Sequence, residues 1–128
     1  MHVRAVGGLE PCLYHFQATA GLLQRLRPLP ADELAGAFVQ PDVIASAAAV
    51  ILVTAVFERT TFKYAERGYR FALIEAGHVA QNIDLIATAL RLPTVNLGGF
   101  FDRELEALLD IDGVEHSVVY AVAIGSGF

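Results

Sequence analysis

Two stretches of the chain, VILVTAVF (50–57) and SVVYAVAIG (117–125), run apolar with no in–out alternation. A strand wetted on one side alternates apolar and polar residues, so these two are expected to be buried on both faces. VILVTAVF is β-branched and predicts a central, doubly covered strand, in a sheet with helices packed against it. The chain has 128 residues and 55% hydrophobic residues. That length holds one domain, and a small domain has much surface for its volume. So much apolar sequence is hard to hide in one subunit, and part of it is expected in an oligomer interface.

The remaining segments fill in an α+β class. Cys12 to Gln17 and Leu22 to Arg27, separated by small turn-tolerant residues, predict a β-hairpin that Pro28 and Pro30 end. ADELAGAF reads as a short helix with Asp32 and Glu33 in its first turn, and Pro41 opens another in PDVIASAAA. A long helix is expected from about Ala65 to Leu90, with Ala72, Ala76, Val79, Ile83, Ile86 and Leu90 at helical spacing and Pro93 just beyond. TVNLGGF is a short strand leading into a Gly-Gly turn. DRELEALLD is an amphipathic helix with Asp102 as N-cap and Leu105, Leu108 and Leu109 inward. Gly113 suits the turn before the last strand.

Composition removes several function classes. The formal charge is −5 and the pI about 5.2, without the basic footprint that nucleic acids need. The cluster Lys63, Arg67 and Arg70 suits a small anion or an ion pair. Cys12 is the lone cysteine, which excludes an internal disulfide and a Cys-rich metal site; beside Pro11 it reads as an inert small hydrophobe. The four histidines show no helical ligand spacing, so no metal is expected. MHVRAVGG lacks a signal peptide's apolar core. The longest apolar run, 43–57, falls about five residues short of the roughly 20 that span a bilayer. The expectation is a soluble, cytoplasmic protein with no membrane contact.

Chemistry concentrates in three places. On the long helix, Glu75, His78 and Asn82 are spaced to share one face, with Gln81 beside them. Gly77 gives up a side chain mid-helix at about 1 kcal/mol, which suggests close approach of a backbone or flat ligand. A polar network buried between helices accounts for the same residues equally simply. Lys63–Tyr64 precedes the helix. A phenol is a poor base at neutral pH, and an adjacent ammonium would favour its phenolate; most such dipeptides, however, are solvated surface. Gly98–Gly99 follows an apolar strand, where paired glycines either make a simple turn or let the backbone approach a planar ligand.

Taken in order and spacing, GLEPCLYHF, TAVFERTTFKYAERGYRFALIEAGHVAQN, NLGGFFD and YAVAIG resemble the SagB-type dehydrogenases of the FMN-dependent nitroreductase superfamily, which include the azoline oxidases of peptide natural-product biosynthesis. The resemblance implies a nitroreductase-like sheet flanked by helices, with one long central helix that helps build a dimer core. It implies catalytic roles for Lys63 and Tyr64 and places Leu97, Gly98 and Gly99 against the flavin ring of an FMN cofactor. Arg67, Glu75, His78, Gln81 and Asn82 would then face the flavin cavity or a partner chain. The family also carries a preceding region with an Arg-rich flavin-phosphate motif and a Ser-Ala-Gly-type segment. The chain starts where that region would end, and its last residues, GSGF, offer no basic group for the phosphate. The resemblance therefore implies a single domain, 1–128, lacking the N-terminal part of the fold.

Three readings follow from it. The chain is a subunit of a two-component flavin oxidase that dehydrogenates a peptide-derived substrate, with a second chain supplying the phosphate-binding half. Or it is a non-catalytic scaffold or regulator of a related enzyme. Or it is a homo-oligomer that binds another ligand.

Overall fold

The computed structural model describes residues 1–125. Six strands and five helices follow one another as β1 (His2–Val3), β2 (Cys12–Gln17), β3 (Leu22–Arg27), α1 (Ala31–Gly36), α2 (Pro41–Ser46), β4 (Ala49–Val56), α3 (Glu58–Tyr64), α4 (Arg67–Ala89), β5 (Thr94–Leu97), α5 (Asp102–Leu109) and β6 (His116–Ile124). The strands form one sheet in the order β3-β2-β1-β4-β6-β5. Every neighbouring pair is antiparallel. The α+β class holds, as do the hairpin, its bounds and the central place of β4. None of the described helices is long and apolar enough to cross a membrane.

The main core lies between one sheet face and α1, α2 and α5. Leu34, Ile44 and Leu105 from the helices meet Leu13, Val50, Leu97, Val118, Ala121 and Ala123 from the strands. The side chains of Leu34 and Leu105 are completely buried, and each such leucine contributes roughly 1.5–3 kcal/mol. Cys12 is buried beside Val3 and Tyr14, its thiol donating to the Arg27 carbonyl at 2.8 Å. The other sheet face carries α4, laid over β4, β5 and β6.

Several expectations need correction. α2 stops at Ser46, and the Ala47 backbone is already extended. Asp102 begins α5 but does not cap it: Phe101 is the N-cap and no side chain bonds there. β1 was not foreseen at all. Double coverage of β4 holds for Ala49 and Val50; Ile51 to Val53 and Ala55 to Val56 stay half-buried and Thr54 is exposed. The long helix starts at Arg67 rather than Ala65, because Ala65 adopts φ 49°, ψ −140° and breaks the chain into α3 and α4. Nor is α4 a buried helix. Gly68 is buried against α3, while Ala76, Ala80 and Ala87, its other buried residues, form the small-residue stripe that permits close approach to the sheet. Val79, Ile86 and Leu90, part of the apolar spacing that marked the helix, are exposed.

Candidate active-site surface

Lys63 and Tyr64 are the last residues of α3. The Lys63 ammonium lies over the Tyr64 ring, 5.2 Å from its centroid. This is a cation–π contact rather than a bond to the hydroxyl. Phe71 of α4 holds the ring edge-on at a centroid distance of 5.2 Å. Tyr64 remains 45% exposed. The sharp corner between α3 and α4 fixes the pair. Gly68 makes it possible: a Cβ there would lie 2.7 Å from the Thr61 nitrogen and 2.8 Å from the Thr60 carbonyl.

β5 delivers the glycine pair. Leu97 is buried and paired with Ala121, which anchors the strand end; Gly98 and Gly99 emerge exposed. Neither glycine has positive φ. A Cβ on Gly98 would meet nothing closer than the Tyr120 ring at 3.8 Å, and one on Gly99 nothing closer than Val39 at 3.5 Å. Neither backbone conformation nor packing within the chain requires glycine here. Gly98 instead lines an open cleft of about 530 Å³ with Phe57, Tyr69, Leu73, Phe100 and Asp102. The rings of Phe57 and Tyr69 meet at a 30° tilt with their centroids 4.7 Å apart. This cleft suits a flat aromatic ring, and no lysine or arginine lines it to take a phosphate. Lys63 and Tyr64 do not line it either.

The polar residues of α4 separate. Glu75 lines a second cleft of about 530 Å³ between α4 and the sheet, with Thr54, Arg59, Thr60 and two histidines, His15 and His116. Gln81 lines a third, of about 300 Å³, with Gly77, Asp84, Asn96 and Tyr120. Arg67, His78 and Asn82 are exposed and border none of these three. The single interhelical network considered from the sequence is therefore absent within the described chain. Nothing stands within 4 Å of a Cβ on Gly77.

Other polar contacts had no sequence signal. His116 Nε2 lies 2.9 Å from Thr54 Oγ1, across the β4–β6 ladder. Only strand register brings them together. Asn96 donates to one oxygen of Asp84, while the other, Oδ1, is buried without a partner. The Asp112 carboxylate accepts the backbone N–H groups of Val114, Glu115 and His116. These bonds, that from His116 foremost, hold it below the usual carboxylate range. They pin the turn that starts β6. Among the described residues no group of three or more His, Cys, Asp or Glu converges to hold a metal. The expected lack of a basic group in GSGF falls largely on Ser126–Phe128, outside the described residues.

Comparison with known proteins agrees with this architecture. A provisionally named nitroreductase of Methanocaldococcus jannaschii is 39% identical over 112 residues, covering 87% of this chain and 57% of the relative. The microcin B17-processing protein McbC of Escherichia coli is 37% identical over 57 residues, 44% of this chain and 21% of that one. Among solved structures, a provisionally named nitroreductase of Anabaena variabilis superposes with a TM-score of 0.86 at 28% identity, over 96% of this chain and 26% of the other. The E. coli microcin synthetase McbBCD complex, with truncated pro-microcin bound, superposes at 0.81 and 23% identity, over 90% and 44%, and shares the fold. The chain thus spans little more than half of its M. jannaschii relative and a smaller part of the others. Residues 14–126 match the nitroreductase family, and the chain belongs to that family.

Proposed function

We propose that this chain is one component of an FMN-dependent oxidoreductase that dehydrogenates a peptide-derived substrate, of the azoline-to-azole type, and that a partner chain completes the flavin site. The observation that carries the proposal is the Gly98–Gly99 pair. Glycine stands at both positions although this chain has no internal need of it there, and Gly98 lines an aromatic-walled cleft. A side-chain-free backbone edge suits the close approach of a flat ring. The absence of a lining cation supports a phosphate site supplied from elsewhere. Similarity to McbC, and to a complex of several chains with a peptide bound, supports the substrate class and the partner.

FMN, once bound, would supply a two-electron oxidation. The chain's own residues do the rest. Leu97 anchors the glycine loop, and Phe57 and Tyr69 wall the cleft. Tyr64 accepts the substrate proton, and Lys63, its ammonium over the Tyr64 ring, stands beside it. Arg67, Glu75, His78, Gln81 and Asn82 lie on the helix that faces substrate or partner. Tyr64→Phe and Lys63→Ala are expected to cut turnover by about 10²-fold or more while flavin stays bound; wild-type rates would remove both from the mechanism.

A scaffold role is the second reading. It is favoured by Lys63 and Tyr64 lying away from the cleft that Gly98 lines. Visible absorption separates the two. A flavin spectrum appearing only when the chain is co-purified with the product of a neighbouring reading frame supports the split enzyme. No flavin in either sample supports the scaffold.

A further inference from the structure

A buried carboxylate stands behind the wall of the cleft that Gly98 lines. Glu106, on α5, is 9% exposed and joins no ion pair among the described residues. A carboxylate offers about four acceptor positions. Among the described residues Glu106 uses one: Ser117 Oγ donates to its Oε1 at 2.5 Å, the length of a charge-assisted bond. The Val118 carbonyl, the other acceptor near that hydroxyl, is farther away at 3.3 Å. The second oxygen, Oε2, fills the place of a side chain at position 113, since a Cβ on Gly113 would lie 2.1 Å from it. Gly113 and Ser117 both line the cleft. One carboxylate thus reaches the cleft wall twice, through a hydroxyl and beside a bare glycine. Burying a carboxylate with so few partners is costly, and departures of this kind gather at functional sites. The other polar side chains of the cleft are Asp102 and Tyr69, and no amide, imidazole, ammonium or guanidinium lines it. Its wall is rich in acceptors and poor in N–H donors.

We propose that Ser117 selects the ring that enters this cleft, its oxygen accepting an N–H from the ring's edge, and that Glu106 is the positioning residue behind it. A hydroxyl has one proton. With that proton committed to Glu106, the lone pairs of Ser117 Oγ are left for the cleft, and Ser117 acts there only as an acceptor. A flat ring with an N–H at its edge is held; one that presents a carbonyl or a blocked nitrogen there is turned away. The identity of the ring rests on the flavin reading above. An oxidised flavin ring carries one N–H, the imide of its pyrimidine end, so that end is the one assigned to Ser117.

The test uses the chain with its co-purified partner, stripped of flavin and titrated with FMN and with 3-methyl-FMN, in which the imide N–H is blocked. Flavin fluorescence gives both dissociation constants. The wild-type complex should bind FMN at least about tenfold more tightly than the methylated form. Ser117→Ala should bring the two within about twofold, by weakening FMN and sparing 3-methyl-FMN. Ser117→Cys separates bonding from fit: its larger, weakly accepting sulfur should also lower the ratio, whereas a steric origin would raise it. Glu106→Met, which leaves the Ser117 proton free, should lower the ratio as well. Equal binding of the two flavins by the wild-type complex overturns the proposal and leaves the flavin reading standing. So does a ratio that persists in both Ser117 variants. A ratio unchanged in Glu106→Met overturns the role of Glu106. A wild-type complex that binds neither flavin overturns the flavin reading, and this proposal with it.

Discussion

His2 Nε2 lies 2.8 Å from the Leu29 carbonyl, and since a carbonyl only accepts, that nitrogen must carry the proton. The imidazole is buried, and burial, with help from the nearby N-terminal and Arg4 charges, lowers its pKa against the opposing effect of the Leu29 bond. The neighbouring Met1 ammonium is lowered from 8.0 to about 6, again by burial. Both groups are therefore favoured neutral in the folded chain. Between pH 8 and 6 the unfolded chain takes up a proton at the terminus that the folded chain does not, so stability should rise with pH across this window. The terminus alone accounts for about 2–3 kcal/mol at most, and His2 adds loss as pH falls through 6.5. Urea midpoints at pH 6 and 8 check this: the midpoint should be higher at pH 8. Gly98 gives a second residue-scale expectation. Because a Cβ there meets only the Tyr120 ring at van der Waals distance, Gly98→Ala should change stability by less than about 0.5 kcal/mol. It should still weaken flavin retention in the partner complex about tenfold, read by absorbance after gel filtration, if the loop lies against the ring.

The corner between α3 and α4 shows what the sequence could and could not tell. ERTTFKYAERGYRF holds no proline, and its one glycine sits beyond the break, so nothing local announces it. Tertiary packing decides the matter, since the first turn of α4 lies against the backbone of Thr60 and Thr61 with room only for Gly68. Ala65 pays a positive φ for that contact. Gly68→Ala should cost about 1–3 kcal/mol, and Ala65→Gly should gain about 1 kcal/mol, both read from thermal or denaturant unfolding. The hairpin was legible to the residue because small residues with Gly21 at φ 64° separate two runs of strand formers. The β5 strand leading into Gly98–Gly99 and the helix α5 were legible for the same reason: each is local. The inward face of α4 was not. Apolar residues occur on both sides of it, and periodicity cannot say whether the alanines or the larger side chains meet the sheet. Nor could the Thr54–His116 contact be foreseen, since it depends on register between strands far apart in sequence.

At the scale of the whole molecule, hydrophobicity and packing point the same way. With its alanines turned to the sheet, α4 exposes Tyr69, Leu73, Ile74, Val79, Leu85, Ile86 and Leu90, the last two at 63% and 65%. Phe62 on α3 is 90% exposed. Soluble monomers rarely show a contiguous apolar patch beyond a few hundred Å². Helix-on-helix packing is the natural way to cover Val79, Ile86 and Leu90, which helical spacing places on one side of α4. The chain purified alone should therefore sediment as a dimer or larger, and replacing Ile86 and Leu90 together by Glu should shift it toward monomer. Because both side chains are already wet, that double variant should lose less than about 1 kcal/mol of fold stability, so a monomer it yields is not an unfolded one. A wild-type chain that sediments as a folded monomer at tens of micromolar would show that α4 is held open for a different protein. The same measurement repeated with the co-purified partner would then give a hetero-complex in place of the self-association.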